Sequence, residues 1–270
     1  AIRGPLTNAK IAKVGHNVKY DYVVLARSGL LVSPLAYDTM LAEFLCEPSS
    51  RNLGLKNLAF HRLGIEMTEI EVLIGKGKKQ ITMDRVPVAR AAPYAAADVA
   101  LTLRLMPILT AELRAKNAEN LLRELELPLV PVLAGMEMAG ISLDTAFLAQ
   151  LNGELSARIG ETEQEIYAAV GYEFNLNSTQ QLSDALFTKL GLPTQGVPKT
   201  QSGKYSTAAS VLDELRGKHP ALDRILEHRD LAKLKSTYAD ALPLAINPAT
   251  GRVHTSYNQM GAATGRLSSS

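Results

Sequence analysis

The hydrophobic pattern changes its period partway along the chain, and this change constrains the fold more than any other feature. Within residues 11–110, short apolar stretches alternate with segments of helical periodicity, an order typical of an α/β domain. In this region only two segments have the pattern of strands, residues 11–15 and residues 35–37, and the second is short enough to be a turn as well. Beyond Pro128 the pattern is almost entirely helical. The sequence therefore predicts an α/β region with few strands, followed by a mainly helical region.

Several helices have recognisable ends. Asp38 is the predicted N-cap of a helix over residues 39–45, because its carboxylate can accept from free N–H groups of the first turn. Ser178 with Gln181 three residues later predicts a capping box. Residues 252–259 alternate polar and apolar side chains, as a strand does. Further helices are predicted over residues 18–28, 52–63, 93–115, 148–169 and 222–238.

The composition favours a protein of a reducing compartment that does not span a membrane. The single cysteine, Cys46, cannot form an internal disulfide, which favours a cytoplasmic protein. No apolar run approaches the roughly 18 residues that span a bilayer. The chain starts without Met and stops soon after a Gly-Arg-Leu turn, so we expect it to be an internal piece of a longer protein.

The net charge of +2 conceals three blocks of opposite sign. Residues 1–120 contain 16 Lys and Arg against 11 Asp and Glu. Residues 121–198 contain 3 basic against 10 acidic residues, and residues 199–270 contain 10 basic against 6 acidic residues. The basic closing block is compatible with a phosphate-rich partner, but it is equally typical of an ordinary solvated surface.

Two pairs of polar residues are candidates for metal chemistry. Asn17 and Asp21 are four residues apart near the start of a predicted helix, and Tyr94 and Asp98 have the same spacing on another. This spacing places both side chains of a pair on one helix face. Carboxylates from two helices could hold divalent cations, with the tyrosine hydroxyl orienting an attacking water. Each pair alone is more typical of a solvated helix face.

Seven short motifs, taken in order, resemble one family. GHNVKYD at residues 15–21, YDTML at 37–41 and YAAAD at 94–98 resemble the second and third motifs, and the segment between them, of a 3′–5′ proofreading exonuclease domain. FNLNS at 174–178, LAKLKSTY at 231–238, TGRVHT at 250–255 and ATGRLSS at 263–269 resemble a polymerase thumb and the beginning of a palm. Together they resemble the bacterial family A DNA polymerases of the DNA polymerase I group.

This resemblance implies a fold and two activities. It implies an incomplete α/β ribonuclease-H-like exonuclease domain over residues 1–117. A mainly α-helical thumb, with a short β segment entering the palm, is implied over residues 118–270. The family adds deoxynucleotides to a primer 3′ end on a template, with Mg²⁺, and it proofreads. The implied partners are primer–template DNA and deoxynucleoside triphosphates. The resemblance also implies a cytoplasmic monomer that does not associate with a membrane.

The resemblance also assigns roles to residues. Asp21 and Asp98 are implied metal ligands, Tyr94 positions the attacking water, and Asn17 supports the site. The family's first acidic motif, of Asp-x-Glu type, does not occur upstream of Asn17. Nor does any Asp or Glu follow Asp240, so the two palm aspartates of the polymerase site are absent as well. We therefore expect this chain alone to be inactive at both sites.

DNA contacts are implied along the second half of the chain. Arg266 resembles the palm arginine that reaches the minor-groove edge of the primer terminus, where acceptors are common to all base pairs. The other predicted contacts would grip backbone phosphates without reading sequence. They are Lys233, Lys235, Ser236, Arg229, Asn175, Asn177, Lys199, Lys204 and Thr207.

Two alternatives stay open at this stage. One is a stand-alone 3′–5′ exonuclease of the ribonuclease D type, a family whose active site has four acidic residues. Such an exonuclease would contain similar Asn-x-x-x-Asp and Tyr-x-x-x-Asp motifs. The motifs after residue 174 speak against it. A non-catalytic DNA-binding module is the other alternative. Metal-dependent nucleotide release would separate these possibilities.

Overall fold

The computed structural model describes residues 2–270, which form two compact units. The first unit comprises the residues up to Gly140 together with His254–Ser270, and the second is Ile141–Val253. Residues 118–140 therefore pack with the first unit, so the division by compactness does not coincide with the predicted boundary after residue 117. That boundary, drawn on family motifs, stays a prediction.

A parallel pair of strands organises the first unit. Strand β1 (Lys13–Gly15) pairs with β2 (Leu35–Asp38), and helix α2 (Val18–Arg27) connects them. Residues 11–15 were expected to form the first strand, which in fact begins at Lys13. Gly15 lies opposite Asp38 in the register. Because parallel strands end at the same edge, the start of α2 and the start of the helix after β2 are brought together.

The remaining helices of the first unit lie close to their predicted positions. The predicted helix over residues 52–63 begins three residues later, at Leu55, and the one over 93–115 begins earlier, at Val88. The elements are α1 (Arg3–Thr7), α3 (Thr39–Cys46), α4 (Leu55–Leu63), α5 (Glu71–Ile74), α6 (Val88–Ala115), α7 (Glu119–Leu121), a π-helical segment at Leu122–Glu126 and α8 (Leu127–Ala139), with short 3₁₀ turns at Gly77–Lys79 and Met83–Arg85.

Helix α6 supplies the main stripe of the first core. Leu105, Leu109 and Leu113 are fully buried and recur every four residues, as one helix face requires. They pack in one cluster with residues of α3 and α4, among them Leu41 and Leu58. Contrary to the sequence expectation, the 28-residue α6 is long and apolar enough to cross a membrane by length and composition. This is weak evidence for a span, since these leucines form a protein core.

Helices α9 and α12 are the framework of the second unit. Helix α9 (Thr145–Val170) buries Leu155, Thr162, Ile166 and Val170, and it packs against α12 (Pro220–Leu234). Of the predicted stripe, Leu155, Thr162 and Ile166 are buried, whereas Leu148, Leu151, Ile159 and Ala169 are half-buried. A π-helical segment, Lys235–Asp240, continues α12. The other helical elements are α10 (Thr179–Ser183), a π-helical segment at Asp184–Lys189, α11 (Ala209–Glu214) and α13 (Ala241–Leu244).

The predicted capping box is half formed. Ser178 Oγ accepts from the Gln181 N–H at 3.4 Å, as expected. Gln181 Oε1 accepts instead from the Asn175 N–H, at 2.8 Å, and not from the Ser178 N–H as a capping box requires. The glutamine thus closes the preceding loop onto the helix, which fixes the path of residues 175–178.

The prediction of one strand over residues 252–259 is wrong. Strand β4 (Arg252–Val253) pairs with β3 (Ile246–Asn247) in the second unit, whereas β5 (Tyr257–Asn258) pairs with β6 (Ser268–Ser269) in the first. Between them, His254 Nδ1 donates to the Glu137 carbonyl oxygen at 2.7 Å. The chain leaves one sheet and joins another, which an alternating pattern cannot reveal.

Candidate metal and nucleic-acid site

Asp38 fixes the point where α2 begins. Its side chain is buried and accepts four backbone N–H groups, those of Asn17, Val18, Met40 and Leu41, at 3.1, 2.7, 2.8 and 3.3 Å. The last two bonds are the predicted N-cap of α3. The first two tie the start of α2 to the same carboxylate, so one side chain caps two helices.

Asn17 lies outside the helix that follows it. Its backbone is left-handed, with φ 58° and ψ 50°, and α2 begins at Val18. The prediction that Asn17 and Asp21 share one helix face is therefore wrong in its geometry. The left-handed turn instead leads the chain from β1 into α2, and asparagine tolerates this conformation better than most residues. Tyr94 and Asp98 both lie within α6, as predicted.

One open cavity brings the four predicted site residues together. It has a volume of about 1080 Å³, and Asn17, Asp21, Tyr94 and Asp98 all line its wall. Asp21 comes from α2 and Asp98 from α6, 77 residues later in the chain. The folding of two separate helices around the strand pair thus places both carboxylates on one cavity.

The electrostatics of the cavity suit a bound cation. Burial raises the pKa of Asp21 and of Asp98, and the nearby charge of Lys56 partly offsets the rise for Asp98. A raised pKa means that the surroundings solvate the anionic carboxylate poorly, and a divalent cation would supply the missing stabilisation. Burial also lowers the pKa of His16, another wall residue, to about 4, so its imidazole is neutral at neutral pH.

The donor set fits a divalent cation only in part. Two carboxylates and an asparagine amide are hard oxygen ligands. Within residues 2–270, however, no three His, Cys, Asp or Glu side chains are grouped to hold a metal ion. The cavity therefore brings together two carboxylates and one amide, and their role as metal ligands stays a prediction.

The predicted DNA contacts on α12 and its extension differ in their surroundings. Lys233 is exposed, whereas Lys235 forms an ion pair with Asp240 at 2.9 Å. Ser236 Oγ donates to the Lys233 carbonyl at 3.3 Å. Arg229 donates to the carbonyl and the hydroxyl of the buried Thr207. Arg229 and Thr207 thus bind each other, and their contact with DNA stays a prediction.

The other predicted contacts lie on loops. Lys199 Nζ lies 5.1 Å from the centroid of the Tyr205 ring, and Lys204 forms an ion pair with Asp184 at 2.6 Å. Asn175 Oδ1 accepts from the Asn177 N–H at 2.9 Å. Arg266, in the first unit, is exposed in the turn before β6.

Sequence reasoning missed the charged wall residues Lys13, Glu69 and Lys56. Lys56 lies on α4. Its ammonium group lies 2.9 Å from Glu69 Oε2 and 5.5 Å from the centroid of the Tyr94 ring. Lys56 occurs in no motif of the family resemblance. Only the packing of α4 beside α6 places it on the cavity.

Two family models match successive parts of the chain. Residues 1–114 match the family model described as 3′-5′ exonuclease, and residues 145–270 match that of DNA polymerase family A. The chain is 49% identical over 267 residues to DNA polymerase I of Chloroflexus aurantiacus, covering 97% of this chain and 28% of the relative. It is 42% identical over 274 residues to DNA polymerase I of Pseudomonas aeruginosa, covering 100% of this chain and 30% of the relative.

A solved structure is similar over nearly the whole chain. The POL domain of Pol1 from M. smegmatis, in complex with DNA primer-template and dNTP, superposes with a TM-score of 0.82 at 32% identity, covering 99% of this chain and 43% of that one. The chain thus spans less than a third of the length of these two DNA polymerase I relatives. With an exonuclease region followed by a polymerase region, the chain belongs to the family A DNA polymerases of the DNA polymerase I group.

Proposed function

We propose that this chain is part of an enzyme that adds deoxynucleotides to a primer 3′ end on a DNA template and removes mispaired ends by 3′–5′ exonuclease action. The order of the two family matches supports this proposal, as does the primer–template DNA and dNTP named for the M. smegmatis neighbour. We propose in addition a ribonuclease-H-like topology for the exonuclease region, a cytoplasmic location and a monomeric enzyme. The parallel strand pair joined by a helix is compatible with that topology.

The observation that carries the exonuclease proposal is the shared cavity. Asp21 and Asp98 would bind Mg²⁺, which supplies stabilisation of charge on the attacking and leaving oxygens of a phosphodiester. Tyr94 would donate or accept a hydrogen bond to orient water, and Asn17 would position the substrate end. Asp38 holds the turn that presents Asn17, through its bonds to the backbone of residues 17 and 18.

A titration with Mn²⁺ tests this assignment on the chain as it is. We expect Asp21→Asn and Asp98→Asn each to weaken Mn²⁺ binding by tenfold or more, since each removes an anionic ligand. Asp84→Asn is the matched control, because Asp84 is an exposed aspartate outside the cavity wall. Equal affinity in all four proteins would refute the assignment.

For the polymerase region we propose a grip on primer–template DNA. The exposed Lys233, its neighbour Lys235 and the exposed Arg266 support this proposal, since cations neutralise phosphates without reading bases. The region from residue 241 to 270 contains no carboxylate. These residues cannot build a two-metal polymerase centre by themselves.

Nucleotide release from a primed template discriminates the alternatives. Incubation of this chain with a 3′-labelled primer–template and Mg²⁺ should release no nucleotide. Release that disappears in Asp21→Ala would favour a stand-alone exonuclease of the ribonuclease D type. Sequence-independent duplex binding without any cation site at Asp21 and Asp98 would favour a non-catalytic DNA-binding module.

A further inference from the structure

We propose that Lys56 binds the phosphate group of a nucleotide held in the cavity beside Asp21 and Asp98. This inference rests on the proposed exonuclease function and assigns a residue that the motifs do not contain. The ligand class is a nucleoside monophosphate, or the terminal phosphodiester of a single DNA strand.

The placement of Lys56 is the first support. The side chain belongs to the cavity wall and is 22% exposed, so its stem is packed while its ammonium group can reach a ligand. It lies against Tyr94, with Nζ 5.5 Å from the ring centroid. Asp98 lies one helical turn further along α6 than Tyr94 and lines the same cavity. Lys56 therefore lies beside the two α6 residues proposed for the chemistry.

The second support is the difference between the hydrogen bonds and ion pairs made by the two lysines of the cavity wall. Lys13, the other lysine of the wall, donates to the carbonyl oxygens of Asn8 and Ser33 at 2.6 and 2.5 Å, which holds it in the loop structure. Lys56 forms an ion pair with Glu69 at 2.9 Å and otherwise contacts Tyr94, a residue of the same cavity wall. The side chain of Glu69 is 64% exposed, so the pair is a surface ion pair of small net stability. Lys56 can exchange this carboxylate for a phosphate at little cost.

The charge balance of the cavity gives the third support. Asp21, Asp98 and Glu69 are acidic wall residues, and a phosphate entering among them would be repelled. A metal ion at Asp21 and Asp98 would offset part of this repulsion. A fixed ammonium group on the Tyr94 side would offset more and would orient the phosphate by charge-assisted hydrogen bonds. The volume of about 1080 Å³ leaves room for a nucleotide.

The test measures binding of thymidine 5′-monophosphate to the full chain in Mg²⁺ by calorimetry, with ³¹P NMR as a second readout. We expect Lys56→Gln to weaken binding about tenfold, the usual effect of losing one charge-assisted hydrogen bond. Lys56→Arg should retain most of the affinity. Glu69→Gln should tighten binding, because it frees Lys56 and removes a repulsive charge. Lys78→Gln, at an exposed lysine outside the wall, should match the unchanged chain.

The Glu69 variant separates phosphate binding from a structural role. If the Lys56–Glu69 pair only stabilised the fold, both single variants would weaken binding or leave it unchanged. Affinity of Lys56→Gln equal to that of the unchanged chain, or binding by Glu69→Gln that is no tighter than that of the unchanged chain, would overturn the inference. If the unchanged chain bound no nucleotide, the proposed exonuclease function would fail together with it. Binding that is insensitive to Lys56 would refute the present inference alone.

Discussion

Replacing Asp38 with alanine removes four hydrogen bonds at once. The buried carboxylate accepts from Asn17 and Val18 at the start of α2 and from Met40 and Leu41 at the start of α3. Alanine cannot accept from any of them. The variant therefore loses the N-caps of two helices in a single substitution.

The magnitude follows from these contacts. Loss of one N-cap costs about 1 kcal/mol, so two caps account for about 2 kcal/mol. The Val18 N–H is buried, and leaving it without an acceptor costs a further 1–3 kcal/mol or so. A small neighbouring cavity of about 210 Å³, lined by Asp38, lets water replace part of the loss. We expect Asp38→Ala to lower the free energy of unfolding of the first unit by about 3–4 kcal/mol.

Urea denaturation and amide hydrogen exchange would measure this loss. Asp144→Ala is the matched control, because Asp144 is an exposed N-cap whose carboxylate accepts from the Phe147 N–H at 2.9 Å. Its loss should cost about 1 kcal/mol. In Asp38→Ala, amides of α2 and α3 should exchange faster while those of α9 keep their rates. A loss no greater than that of Asp144→Ala, or unchanged exchange in α2, would refute the double-cap reasoning.

Three further predictions concern other parts of the chain. Replacing Lys233 and Lys235 together with glutamine should weaken duplex DNA binding to a similar extent for unrelated sequences, and should reduce the slope of log affinity against log salt by between about 1 and 2; a loss confined to one sequence would contradict backbone contact. Burial raises the pKa of Cys46 to about 11, so iodoacetamide should modify it far more slowly at pH 8 in the native chain than in urea, and equal rates would contradict the burial. Folding raises the pKa of Asp98, so the native state binds this proton more tightly than the unfolded state, and the free energy of unfolding falls as the pH rises above the ordinary aspartate pKa. Asp98→Asn should therefore raise the Tm at pH 7 more than at pH 4, and a gain independent of pH would contradict the raised pKa.

Local signals in the sequence predicted the elements that local interactions determine. Asp38 was identified as the cap of α3 because both the cap and the N–H groups it binds lie within four residues. The long α9 was predicted from its apolar spacing, and its observed bounds, Thr145–Val170, extend the prediction by a few residues at the first end. In these cases the physical cause and its sequence signature occupy the same short window.

Interactions between distant residues could not be predicted in this way. The second cap of Asp38 joins residues 20 positions apart, and Lys56 meets Tyr94 only because α4 and α6 pack together. The split of residues 252–259 between two sheets depends on partners at residues 246–247 and 268–269, which the alternating pattern does not specify. The four motif residues were proposed from their spacing and from the family resemblance, and their shared cavity emerged from the fold.

One measurement tests most directly whether Asp21 and Asp98 act on the same cation. A single equivalent of Mn²⁺ broadens NMR signals of nearby nuclei, so it reports which segments surround the ion. The account predicts that the amides of residues 17–21 and of residues 94–98 broaden together, while those of Met83–Arg85 stay sharp. Broadening confined to one of the two segments, or absent from both, would contradict a shared metal site.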